Sequence, residues 1–165
     1  GLEAVANVPG RMEVLDTGTP YQVILDYAHS PDSLDNVLRA VRQFAKGRVI
    51  VVFGCGGNRD REKRPVMGRI GADLADYCVL TSDNPRGEDP MDILAAIEEG
   101  TRPEGKPYSV IENRREAIKH AMSIAREGDV VVLAGKGHET YQEIMGQKHP
   151  FDEKVVVQEL LAELY

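Results

Sequence analysis

Apolar residues in this chain follow two alternating patterns: short unbroken runs rich in β-branched residues, and longer stretches in which they recur every three or four positions. Residues 12–16 and 21–27 read as strands, and Thr17-Gly18-Thr19-Pro20 between them suits a hairpin, so the fold is expected to open antiparallel. Ser30-Pro31-Asp32 then supplies a helix cap with proline in the first turn, ahead of Leu34, Val37, Leu38, Val41 and Phe44 at helical spacing. Residues 48–53 are almost wholly apolar, the pattern of a strand buried on both faces. From there Gly54-Cys55-Gly56-Gly57 leads into a helix beginning near Arg64. The alternation continues with strand 77–81, helix 91–98, strand 108–111, helix 114–126 and strand 129–133. Beyond Gly135-Lys136-Gly137, residues 140–145 are expected to be a short helix or irregular, and 155–164 a closing helix.

Such alternation predicts an α/β fold, a parallel sheet covered by helices. In open sheets of this kind ligands sit beyond the carboxyl ends of the strands. Four loops gather there: 26–30, 54–63, 83–89 and 135–141. At 165 residues, 42% of them hydrophobic, the chain has the length of one compact domain. A net charge of −7 without any lysine/arginine run argues against nucleic acid or an anionic membrane as the main partner. No apolar stretch approaches the roughly 20 residues of a membrane span. The N-terminus lacks the pattern of a signal peptide, so a soluble, cytoplasmic protein is expected. Gly1-Leu2-Glu3-Ala4-Val5 reads as helix from the first residue, as in a piece of a longer polypeptide. Cys55 and Cys78 are too few for a disulfide framework or a zinc site, and no metal-ligating set is found.

The loops carry the chemistry. In Asp83-Asn84-Pro85-Arg86 the arginine offers a planar fork of donors that matches a carboxylate in a way lysine cannot. Pro85 stiffens the turn, and Asn84 adds a donor and an acceptor. Gly54-Cys55-Gly56-Gly57-Asn58-Arg59 matches a dinucleotide fingerprint at Gly54 and Gly56 but has Arg59 where the last glycine belongs. Arg59, Arg61, Lys63 and Arg64 make this loop electropositive, either for a ligand or simply as a solvated helix start. Ala134-Gly135-Lys136-Gly137-His138-Glu139 lacks the spacing of a phosphate loop, and Gln142 stands where a zinc-protease helix needs its second histidine. Glu139 remains as a partner for an ammonium group or as a helix cap. Asp26 is placed to accept from ribose hydroxyls; His29 lies either beside the same ligand or against the backbone.

Together, Gly10-Arg11-Met12-Glu13, residues 26–32, residues 53–60, Asp83-Asn84-Pro85-Arg86 and Gly135-Lys136-Gly137-His138-Glu139 resemble the C-terminal domain of the Mur ligases. Within that family the likeness is to the branch that adds meso-diaminopimelate. The resemblance implies a Rossmann-like, mostly parallel sheet with helices on both faces and an antiparallel N-terminal hairpin at its edge. It further implies one domain over residues 1–165, with UDP-binding and central ATP-binding domains outside this chain. By motif, Arg59, Asn84, Arg86, Gly135 and Glu139 hold diaminopimelate, and Asp83 and Pro85 fix the recognition turn. Arg11 reaches ATP phosphate, Asp26 the ribose, and His29 lies near the nucleotide. The partners implied are ATP, UDP-N-acetylmuramoyl-dipeptide and the rest of the ligase chain, with Mg2+ held mainly by the central domain. No catalytic residue is assigned here, and the domain alone is expected not to ligate. Competing readings are a stand-alone nucleotide or amino-acid binding module, and a lysine-adding or folylpolyglutamate-type ligase domain. Lysine-adding relatives replace the arginine of the Asp-Asn-Pro-Arg motif, which this sequence keeps.

Overall fold

The computed structural model describes residues 11–165, so the helical reading of residues 1–5 lies outside it. β1 (Glu13–Leu15) and β2 (Gln22–Asp26) form the expected antiparallel pair. α1 (Pro31–Phe44) starts at Ser30, whose hydroxyl accepts from the Ser33 N–H while Ser33 returns a bond to the Ser30 N–H, a reciprocal cap. β3 (Val49–Phe53), α2 (Lys63–Leu74), β4 (Tyr77–Leu80), α3 (Pro90–Thr101), β5 (Tyr108–Val110), α4 (Arg114–Ile124) and β6 (Val130–Ala134) follow in the predicted alternation. α5 (Glu153–Leu164) closes the chain.

The six-stranded sheet runs β1-β2-β6-β3-β4-β5, and every pairing except β1 with β2 is parallel. β3 is buried along its whole length because its side chains feed two cores in alternation. Val49, Val51 and Phe53 pack with Leu34, Leu38, Met67 and Ile97 from α1, α2 and α3. Ile50 and Val52 face the other way, toward Ile118, Met122, Val157 and Leu160 from α4 and α5. Strand register brings the carboxyl ends level: Asp26 pairs with Ala134, Val52 with Leu133 and Phe53 with Leu80. The four loops named from sequence therefore leave the sheet on one edge.

One expectation is corrected. Residues 140–145 are neither helix nor irregular; Tyr141–Ile144 is β7, paired antiparallel with β8 (Gln147–Pro150) in a separate two-stranded ribbon. Met145 and Gly146 make its turn with φ of 50° and 78°, the doubly positive geometry that matches the twist of a tight hairpin. Tertiary contact, absent from a local reading, decides the outcome. The Arg86 N–H donates to the Glu143 carbonyl at 2.8 Å and the Met145 N–H to the Arg86 carbonyl at 2.6 Å, so the ribbon is docked on the 83–86 turn.

Two glycines after β3 are demanded by packing. A Cβ on Gly54 would lie 1.9 Å from the Thr81 carbonyl oxygen, and one on Gly57 would lie 1.8 Å from that of Pro85. These atoms belong to the backbone, which cannot swing aside as a long side chain would. Gly54→Ala is expected to cost about 1–3 kcal/mol, the range of overpacking in a close-packed interior. Urea denaturation of the variant checks this, and an unchanged midpoint would show that the two strand exits are less tightly opposed than described.

Candidate functional site

At the carboxyl edge of the sheet, Tyr27, His29, Gly56, Arg59, Lys63, Asp83, Asn84, Arg86, Gly135 and Glu139 line a cavity of about 230 Å3. Six of the seven residues assigned to amino-acid binding are thus gathered in one place. The seventh, Pro85, is buried beneath the turn and outside the lining. Its carbonyl accepts from the Glu88 N–H at 3.0 Å, closing the turn that presents Arg86.

One group of residues in this lining is cationic. Arg86 has φ +52°, a left-handed conformation costly for a residue with a side chain, and the docked ribbon holds it there from both sides. Its Nη1 donates to the Gly57 carbonyl at 3.0 Å, and its Nε lies 3.4 Å from Glu143 Oε1. Glu143 does not line the cavity, so it backs the guanidinium from outside. Arg59 is exposed and bonded only to the neighbouring Asn58 carbonyl, leaving most of its donors for solvent or a ligand. Nearby, α2 begins with Lys63 and Arg64, with no side-chain cap and no acidic residue in its first turn. Such a start opposes the helix dipole and adds to the positive potential.

A second, anionic group in the same lining is organised by Lys136, a residue to which the sequence reading gave no role. Its side chain is fully buried. The ammonium donates to Asn84 Oδ1 at 2.9 Å and lies 3.2 Å from Asp83 Oδ1 and 3.6 Å from Glu139 Oε1. One formal positive charge faces two carboxylates, so the cluster keeps an excess of one negative charge beside the cavity. Asn84 also accepts from the Glu143 N–H at 3.0 Å, and its Nδ2 points to Glu139 Oε1 at 3.5 Å. Gly135, at φ +116°, makes the turn after β6, and its N–H bonds the Asp26 carbonyl at 3.0 Å.

A second cavity, about 400 Å3, is lined by Arg11, Asp26 and His29 together with Met12, Tyr27 and α1 residues including Asn36 and Val37. The three residues assigned to the nucleotide therefore share one cleft. Both Asp26 oxygens already accept backbone N–H bonds, from Met12 and Ala28 at 2.8 Å each, so this carboxylate shapes the loop as well as facing the cleft. Burial raises its pKa above the ordinary value, opposed by those two bonds and by Arg11. His29 Nδ1 lies 2.8 Å from the Tyr27 carbonyl, the backbone contact that sequence left open, and its ring sits 4.6 Å from that of Tyr27. Tyr27 and His29 line both cavities and form the wall between them. Cys55, under the glycine loop, is buried, and that burial pushes its thiol up to about 12, far from a reactive thiolate.

Three further side chains escaped the sequence reading. Glu143 and Gln142 lay in the segment read as short helix or irregular; Gln142 donates to the Asp83 carbonyl at 2.9 Å. Their signal was the Met145-Gly146 pair, a hairpin turn whose second residue is glycine. Glu88, within the 83–89 loop, was given no role, yet it accepts from Arg64 at 2.7 Å and from the Asn58 N–H at 2.5 Å, pinning the 54–58 loop against the 83–89 loop. The Arg64 hydrogen bond foremost, then the Asn58 N–H, holds the Glu88 carboxyl down to about 2 from its ordinary 4.5. A carboxyl depressed by folding stabilises above its unfolded pKa and loses that contribution as pH falls through the folded one. Denaturation of Glu88→Gln should therefore show its largest deficit against the parent near pH 7, shrinking from about 4.5 toward about 2. A deficit that stays constant over that window would contradict the pairing.

A family model for the "Mur ligase, glutamate ligase domain" matches residues 10–137. The UDP-N-acetylmuramoyl-L-alanyl-D-glutamate--2,6-diaminopimelate ligase of Clostridium tetani is 53% identical over 167 residues, covering 100% of this chain and 34% of that protein. The protein of the same name from Caldanaerobacter subterraneus subsp. tengcongensis is 53% identical over 156 residues, covering 94% of this chain and 32% of its own length. A solved structure of a UDP-N-acetylmuramoyl-L-alanyl-D-glutamate--2,6-diaminopimelate ligase superposes with a TM-score of 0.89 at 45% identity, covering 95% of this chain and 32% of that one. The chain spans about a third of the length of the curated relatives it matches.

Proposed function

The chain belongs to the Mur ligase family, whose glutamate ligase domain it carries, and from that premise we propose that it receives meso-diaminopimelate for an ATP-dependent amide ligase. The acceptor in this reading is UDP-N-acetylmuramoyl-L-alanyl-D-glutamate, and the setting is peptidoglycan synthesis in the bacterial cytoplasm. The observation that carries it is the small cavity whose lining joins arginines and a lysine-bridged carboxylate cluster. A ligand that bears both a carboxylate and an ammonium at its far end satisfies both poles at once. Arg86 and Arg59 take the carboxylate in charge-assisted, fork-shaped hydrogen bonds. Glu139 and the Gly135 turn take the ammonium, the Asn84 amide group donates to the carboxylate, and Asp83 and Pro85 hold the recognition turn.

The neighbouring cleft suits part of ATP, with Arg11 toward phosphate, Asp26 toward ribose and His29 at the dividing wall. In the complete ligase ATP phosphorylates the carboxylate of the muramoyl-dipeptide and leaves as ADP. The free amine of diaminopimelate then attacks the acyl carbon, forming the amide and expelling phosphate with loss of a proton. That the two cavities share Tyr27 and His29 supports this reading, because the reaction needs the amine held close to the activated carboxyl. Among the described residues no group of three or more His, Cys, Asp or Glu side chains could hold a metal ion, so no step is assigned to Mg2+ on this chain. It belongs, in this reading, to the rest of the ligase, as do the phosphorylation machinery and the UDP site. The chain by itself binds but does not ligate.

Selectivity over lysine follows from the cationic pole. Lysine carries the distal ammonium without the carboxylate, which leaves Arg86 facing the cavity unsatisfied; sites built on polar pairing reject such analogues by about 10⁴-fold in favourable cases. Titration calorimetry of this chain is expected to show meso-diaminopimelate binding ahead of lysine. Arg86→Ala should weaken diaminopimelate by at least about tenfold, the worth of one charge-assisted hydrogen bond, and leave lysine unchanged. Equal affinities for the two amino acids, or an Arg86→Ala variant that binds diaminopimelate normally, would refute the assignment.

A further inference from the structure

Arg114 is the first residue of α4 and its side chain is fully buried. Nε donates to Glu153 Oε2 at 2.8 Å, Nη1 to the Ser82 carbonyl at 3.1 Å and Nη2 to the Ala134 carbonyl at 3.0 Å. Those carbonyls immediately precede Asp83 and Gly135, the first residues of the two loops that build both poles of the amino-acid cavity. Ala134 ends β6 and Ser82 lies two residues beyond β4, and these strands are not neighbours, because β3 lies between them. No sheet hydrogen bond can therefore fix one loop start against the other. A planar guanidinium with donors pointing in several directions can, and a lysine ammonium cannot reproduce the fork.

Stability alone is a poor reason for this arrangement. Burying an ion pair removes two charges from water, and apolar residues of like volume commonly serve a core as well or better. Here the burial is incomplete in its compensation, since Glu153 Oε1 has no hydrogen-bond partner. What the pair provides is geometry. Glu153, the first residue of α5, holds one edge of the guanidinium so that the other nitrogens meet the two strand ends.

We propose that Arg114 is a positioning residue for the diaminopimelate cavity, setting the 83–86 and 135–139 loops in register through their first carbonyls, with Glu153 as its anchor. The proposal rests on the reading of that cavity given above. Arg114→Lys and Glu153→Gln are the informative variants, measured by calorimetry with meso-diaminopimelate, by urea denaturation, and by amide hydrogen exchange without ligand. At a temperature where Arg114→Lys remains folded, its affinity is expected to fall about tenfold or more, as small misplacements of binding groups do. Exchange should rise in the 83–86 and 135–139 loops while the 26–30 loop keeps its protection. Glu153→Gln, which retains an acceptor for Nε, should show the same pattern at about threefold.

Uniformly raised exchange, with affinity tracking only the folded fraction, would reduce Arg114 to a stabilising residue and overturn the proposal. So would normal affinity in a destabilised Arg114→Lys. Should Arg114→Lys fail to fold, Glu153→Gln decides by the same criteria. Parent protein that does not bind diaminopimelate would sink the functional reading and this inference together, whereas parent that binds alongside unaffected variants sinks this inference alone.

Discussion

Everything at the carboxyl edge of the sheet depends on one buried ammonium. Lys136 is fully enclosed, and taking such a charge out of water costs several kcal/mol unless good partners replace the solvent. The partners are Asn84, Asp83 and Glu139, which come from two loops far apart in sequence. Without the ammonium, Asp83 and Glu139 would lose the charge that draws their two loops together. With it, the loops are cross-linked and the excess negative charge is turned toward the cavity. A single lysine thus holds the two loops together and offsets part of the negative charge of Asp83 and Glu139.

This cross-link works only because the backbones can approach. Gly54 and Gly57 bring the chain after β3 against the carbonyls of Thr81 and Pro85, and the Gly57 N–H donates to the Asn84 carbonyl at 2.8 Å. Glycine in this loop therefore serves packing of one strand exit on the next, in addition to shaping the surface near Arg59. Cys55 fits the same logic: its small buried side chain contacts Met67 beneath the loop. Arg64 and Glu88 tighten the arrangement from the α2 side, which accounts for a basic residue at a helix start where the dipole disfavours it.

The parallel core was legible in the sequence because its signals are local and repeat. Residues 49–53 are apolar without interruption, and such a run between turn signals has few other uses. The cap at Ser30 and the spacing of Leu34, Val37, Leu38 and Val41 left little doubt about α1. The site was legible only in part. Motif residues named the loops that converge, yet Lys136 was given no role once the spacing excluded a phosphate loop, and only the third dimension shows it enclosed. Glu143 was hidden for a different reason. Residues 141–144 alternate weakly and are half-exposed, so their strand character comes from pairing with 147–150 and docking on Arg86 and Asn84 rather than from their own pattern.

That docked ribbon bears on how a shallow domain edge can discriminate among small zwitterions. Arg86 would not choose φ +52° unaided; it is held there by backbone bonds to Glu143 and Met145, and its guanidinium is steadied by Gly57 and Glu143. Freezing a long, rotamer-rich side chain before a ligand arrives moves the entropy cost from binding to folding. The same holds for Asn84, whose Oδ1 is already committed to Lys136 and Glu143 and whose Nδ2 has one long bond to Glu139, leaving its other amide hydrogen to donate. In the proposed function the pocket is then a set of fixed donors and acceptors that tests a ligand's charge pattern as it arrives, and the ribbon, though it does not line the cavity, is what keeps that pattern rigid.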